Sequence, residues 1–120
     1  MNTLHPRRRE YYIFMNTRAK GRRNELKCKK ALEAEGYRAI IAPTPQRWQK
    51  AKDGGTDFFG LFDLIAIKSQ RIRFVQVKTN VDDTGKAWKN DARAFCELSG
   101  STVEIWIYTD RIKDPHIKVL

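Results

Sequence analysis

Two cysteines and two histidines in 120 residues leave little room for zinc or disulfide chemistry. Cys28 and Cys96 form no CxxC pair, so they read as small core residues of a reducing compartment. His5 and His116 are isolated, which argues against a zinc site built from His and Cys. No apolar run approaches the ~18–20 residues of a membrane span, and the N-terminal MNTLHPRRRE has no apolar signal core. The expectation is a soluble, cytoplasmic protein with no membrane partner. Acids are also scarce, at 14 against 24 Lys and Arg, and the formal net charge is +10. Residues 1–38 hold eleven of those bases and only four acids. Such a concentrated positive field favours a polyanion, nucleic acid first and anionic membrane second.

What is present fits one folded α/β domain with an ordinary apolar fraction. Residues 1–16 read as a basic N-terminal extension, RRR followed by YYIF, and residues 17–120 as the folded domain. Asn16 or Thr17 can cap a helix that runs to about Glu35 and stops at Gly36, with Cys28 and Leu32 on its buried face. YRAIIA (37–42) predicts a strand, and 43–60 a loop longer than a connector needs. LFDLIAIK (61–68) and RIRFVQVK (71–78) predict a hairpin turning at Ser69 and Gln70. A second amphipathic helix follows over 84–100, with Trp88, Ala92 and Phe95 on one stripe and Gly100 as its stop. TVEIWIYT (102–109) predicts a further strand, and HIKVL a short edge strand. The order αβββαβ(β) implies a central mixed β-sheet flanked by helices.

The hairpin carries the chemistry. A turn centred between Ser69 and Gln70 makes cross-strand partners sum to 139, so Asp63 opposes Gln76, and Lys78 leaves the same face two residues on. One reading is structural, a strand-end carboxylate paired with Lys78. The other is chemical: a carboxylate and an amide oxygen can hold a hard cation, and an ammonium beside them can stabilise charge on a phosphate. Glu25, at the edge of the first helix's buried face, could complete the shell directly or through a water. Asp57, six residues before Asp63, is either a loop residue or an alternative ligand.

FDLIAI, followed twelve residues after Asp63 by VQVK and preceded by the basic helix KGRRNEL, resembles the PD-(D/E)XK nuclease superfamily. The nearest shape is that of the archaeal-type Holliday junction resolvases, which also have phage-encoded relatives. The resemblance spans roughly residues 17–109. It implies a restriction-endonuclease-like fold and a catalytic set of Glu25, Asp63, Gln76 and Lys78. The implied metal ligands are Asp63, Gln76, the Val77 carbonyl and Glu25, holding Mg²⁺ or Mn²⁺. Phe62 stands where the family has its proline, and Gln76 where it has an acid. An amide keeps an oxygen lone pair but has neither charge nor basicity. Mrr-like nucleases resemble this variant in carrying Gln-x-Lys.

The implied function is metal-dependent, structure-specific hydrolysis of DNA phosphodiesters, most directly at four-way junctions, by a homodimer serving recombination and repair. The alternatives are a Mrr-like or phage nuclease acting on duplex or other branched DNA, and an inactive DNA-binding relative. Arg7, Arg8, Arg9, Arg18, Lys20, Arg22, Arg23 and Lys29 are the candidate phosphate contacts. Trp88, Phe95, Trp106 and Tyr108 are either ordinary core or a dimer surface.

Overall fold

Helix α1 runs from Pro6 to Ala34, eleven residues earlier than a cap at Asn16 would allow. Proline is at ease in a first helical turn, and no glycine or proline follows it before Gly21. The computed structural model describes residues 6–43 and 57–120, with side chains from Ala19 onward. The far end of α1 closes as the sequence implies. Gly36 takes φ 93, its N–H donates to Glu33 O, and the Tyr37 N–H donates to Leu32 O. Tyr37 and Leu32 then pack in the same core, completing a Schellman stop with its apolar contact.

Five strands follow in one sheet, ordered as in the chain: β1 (Arg38–Ile41), β2 (Leu64–Lys68), β3 (Arg71–Thr79), β4 (Thr102–Tyr108) and β5 (His116–Val119). Every pair is antiparallel except β3 and β4, which are parallel and joined by helix α2 (Lys86–Ser99). Helix α1 covers one face, where Cys28 and Leu32 meet Leu64, Ala66, Val75 and Trp106. Helix α2 covers part of the other, where Ala92, Trp88 and Phe95 meet Phe62, Phe74 and Val103. β4 is buried from Val103 to Tyr108 because it lies between the two layers, hence its unbroken apolar run. Trp106 and Tyr108 are buried in the core beneath α1, and Trp88 and Phe95 are partly buried beneath α2.

One ion cluster and one loop matter for stability. Arg73 makes two hydrogen bonds to Glu104, from Nε and Nη2, each 2.7 Å. Glu104 also accepts from Trp106 Nε1 at 2.9 Å, so the buried carboxylate is well satisfied. The β3–α2 loop is pinned by Asp82, which accepts from Thr84 and from Lys118 Nζ on β5, with Lys89 of α2 at 3.5 Å. No helix among the described residues is long and apolar enough to cross a membrane.

Candidate active site

The β2–β3 ladder has the expected register, from Lys68↔Arg71 to Leu64↔Val75. It then breaks. The strand expected from Leu61 begins instead at Leu64, because Asp57–Phe62 close a tight turn. Phe58 and Phe62 exchange backbone hydrogen bonds there, and Phe59 and Gly60 both take positive φ. The Asp63 N–H donates to Val75 O at 2.9 Å, one residue short of the pairing with Gln76 that a regular ladder would give. The gap is closed by a side chain: the Val77 N–H donates to Asp63 Oδ2 at 2.9 Å.

Asp63 is therefore held at the point where two strands part, next to Gln76. Burial pushes its carboxyl up to about 7, against the Val77 hydrogen bond, and the charges of Asp57 and Glu25 push the same way as burial. Asp57 comes from the turn, and its carboxyl is also raised, chiefly by burial, with the neighbouring Asp63 carboxyl and the charge of Lys78 acting in the opposite direction. Glu25 on α1 is half-buried and raised as well, first by burial, with Arg22 pulling it back and Asp57 adding to the rise. The three carboxyls feel one another, as groups gathered at one site do.

Gln76 contributes the least expected feature. Its Oε1 is buried and has no hydrogen-bond partner among the described residues. A buried amide oxygen in that state costs free energy unless something else satisfies it. No group of three His, Cys, Asp or Glu side chains among the described residues is arranged to hold a metal by itself. A cation here would therefore need the amide oxygen beside Asp63 and Asp57. An all-oxygen donor set suits Mg²⁺ or Mn²⁺ rather than zinc, and the orphaned Oε1 fits that chemistry.

Lys78 does not make the simple strand-end pair with Asp63. Its Nζ lies 2.9 Å from Asp83 Oδ1 in the loop after β3, and it reaches Asp63 and Asp57 through its field. The helix is tied to the same strand one residue on, where Asn24 Nδ2 donates to Thr79 Oγ1 at 2.9 Å. Of the candidate DNA contacts, Arg22 and Arg23 are exposed on α1, Lys20 is paired with Asp110 at 2.7 Å, and Lys29 stands 3.8 Å from Glu33. The side chains of Arg7, Arg8, Arg9 and Arg18 lie outside the described residues, as do 44–56 of the long loop. Sequence reasoning underweights Asp57, whose signal is an acid just before the motif, and misses Asp83, whose signal is a second acid directly after Asp82.

No family model matches the sequence, and no curated protein matches it. A solved structure does. The fold is similar to that of a Holliday junction resolvase from the archaeal hyperthermophile Archaeoglobus fulgidus, with a TM-score of 0.58 and 14% sequence identity. The match covers 83% of this chain and 75% of that one. At that identity the likeness establishes the fold, a single α/β domain of the restriction-endonuclease-like type.

Proposed function

We propose that this chain is a metal-dependent DNA endonuclease that resolves four-way junctions. The observation that carries the reading is the Val77 N–H bound to Asp63 where β2 and β3 part, with Asp57 and Lys78 acting on that carboxyl and, one residue before Val77, a buried Gln76 Oε1 that has no partner among the described residues. Asp63, Asp57 and Gln76 would hold a divalent cation, with the Val77 carbonyl as a further oxygen and Glu25 acting through a water. When bound, that ion supplies Lewis acidity towards a phosphate oxygen. Lys78 stabilises charge developing on the scissile phosphate, and Asp83 holds the ammonium in position until substrate competes for it. The carboxyls raised by burial would bind a cation in place of protons, so metal affinity would fall as the pH drops.

The likeness to a junction resolvase supports four-way junctions as substrate, and the basic first helix supports DNA as partner. A two-fold dimer would make the paired cuts. Ile40, Ile67 and Ile72 are exposed on one face of β1–β3 and supply apolar surface for it. Gln76 gives a second reading specific support: an amide in the acid's place suits a DNA-binding relative without chemistry. The decisive experiment compares a synthetic four-way junction with a linear duplex of matching sequence, in Mg²⁺ and in EDTA. Cutting of the junction alone, lost in Asp63→Ala and Lys78→Ala with binding retained, is the expected result. Equal cutting of both substrates points to a duplex nuclease, and no cutting beside intact binding points to the inactive relative.

A further inference from the structure

A second basic feature lies beside the catalytic cluster, away from the residues that would hold the metal. Between α1 and the turn joining β4 to β5 runs a cleft of about 380 Å³. Arg23 and Lys27 line one wall from the helix, and Arg111 and Lys113 the other from the turn. None of these four forms an ion pair among the described residues. The carboxylate in the lining, Asp110, is already engaged. It accepts from Lys20 Nζ at 2.7 Å and from Asn80 Nδ2 at 3.3 Å, while its own N–H donates to Asn80 Oδ1 at 2.9 Å.

Those contacts fix geometry as well as neutralise charge. They fasten the turn to β3 through Asn80 and to α1 through Lys20, so the two basic walls are held facing each other. Arg111 is fixed further at φ 68, in the left-handed region, which aims its side chain differently from that of an extended residue. Four like charges kept together in this way repel one another unless an anion lies between them. The cleft also shares a wall with the catalytic cluster. Asn24 lines it, follows Arg23 and precedes Glu25, and donates to Thr79 next to Lys78.

We infer that this cleft carries the sugar–phosphate backbone of the DNA strand on one side of the scissile phosphate, with Arg111 and Lys113 as phosphate contacts. The inference rests on the nuclease reading and adds to it residues that follow β4, well outside the basic helix. A strand whose scissile phosphate sits by Asp63 and Lys78 runs past the Asn24–Thr79 contact into the cleft. Contacts of this kind position the substrate and read no sequence.

The test measures binding of a fluorescent four-way junction by anisotropy over a series of salt concentrations, in EDTA so that nothing is cut. The variant is R111Q/K113Q, and the control is K86Q/R93Q, which removes the same charge from exposed positions of α2. Two lost phosphate contacts lower the log–log salt slope by about 1.8, while the control leaves it near the wild-type value. Calorimetric Mn²⁺ binding should match wild type in both variants, which shows that the site beside the cleft remains folded. Equal slopes for the two variants overturn the cleft and leave the nuclease reading standing. Failure of the wild-type protein to bind any DNA overturns the nuclease reading, and the cleft's occupant with it.

Discussion

Val77 donates its backbone N–H to the side chain of Asp63, so one carboxylate repairs the β2–β3 ladder beside Gln76, whose buried Oε1 has no partner among the described residues. The residue on which chemistry would depend is thus also structural, and its substitutions need to be read with both roles in mind.

Asp63→Asn keeps an oxygen to accept from Val77 but removes the charge. Burial sets the wild-type carboxyl at about 7, above its unfolded value of about 3.9. Its stabilising contribution is therefore complete below that lower value and is lost as the pH rises through 7. Without metal, the Asp63→Asn protein should be more stable than wild type at pH 8, by about 1–3 kcal/mol, and by little at pH 4. Urea unfolding at the two pH values measures this, and parallel profiles would count against a buried, destabilising carboxylate. Added Mg²⁺ should stabilise wild type and leave the variant unchanged.

Gln76→Glu restores the missing charge and should tighten Mn²⁺ or Mg²⁺ binding on the order of tenfold. Asp57→Asn should weaken it by a similar factor, and the double variant should return towards wild type. Isothermal calorimetry gives all three affinities. An Asp57→Asn protein that binds metal as wild type does would return Asp57 to the role of a turn residue.

Glu104→Ala leaves Arg73 with only the exposed Glu35 carboxylate, 3.3 Å from its Nη1, and should cost about 3 kcal/mol. Replacing both partners by apolar residues, Arg73→Met with Glu104→Leu, should recover most of that loss. Chemical denaturation of the single and double variants tests the pair, and an equal loss in both would show that the charges are not coupled.

Asp82→Ala should cost about 1–2 kcal/mol at neutral pH. Burial opposes ionisation of this carboxyl, but the hydrogen bonds from Lys118 and Thr84 prevail and hold it below the usual range. Its contribution is present above the unfolded value of about 3.9 and disappears as the pH falls through the folded one. The stability difference from wild type should therefore shrink in acid. A difference that stayed constant down to pH 2 would assign the loss to packing instead.

Much of this fold can be read in the residues, for reasons that can be named. The two-residue turn at Ser69 and Gln70 sets every pairing from Lys68↔Arg71 to Leu64↔Val75, and Gly36 and Gly100 stop the two helices in the left-handed conformation expected of them. The start of α1 is not legible, because a good cap at Asn16 says nothing about whether the chain upstream can also be helical. The ladder break at Asp63 is hidden because it depends on a turn at Phe58–Phe62 that no alternation reveals. For the same reason the sequence leaves Asp57 ambiguous: its place beside Asp63 is made by that turn. The partner of Lys78 cannot be read either, since Asp83 sits in a loop whose course is set by the Asp82 contacts on α2 and β5.

β3 lies in the middle of the sheet, hydrogen-bonded to β2 on one side and β4 on the other, and packed between two helices. Isotope exchange at its amides should accordingly require opening of the whole domain, while the turn carrying Arg111 can exchange through local motion. The chemistry would then sit on the slowest-exchanging strand of the molecule, and the parts that adjust to a bulky substrate would be those around it.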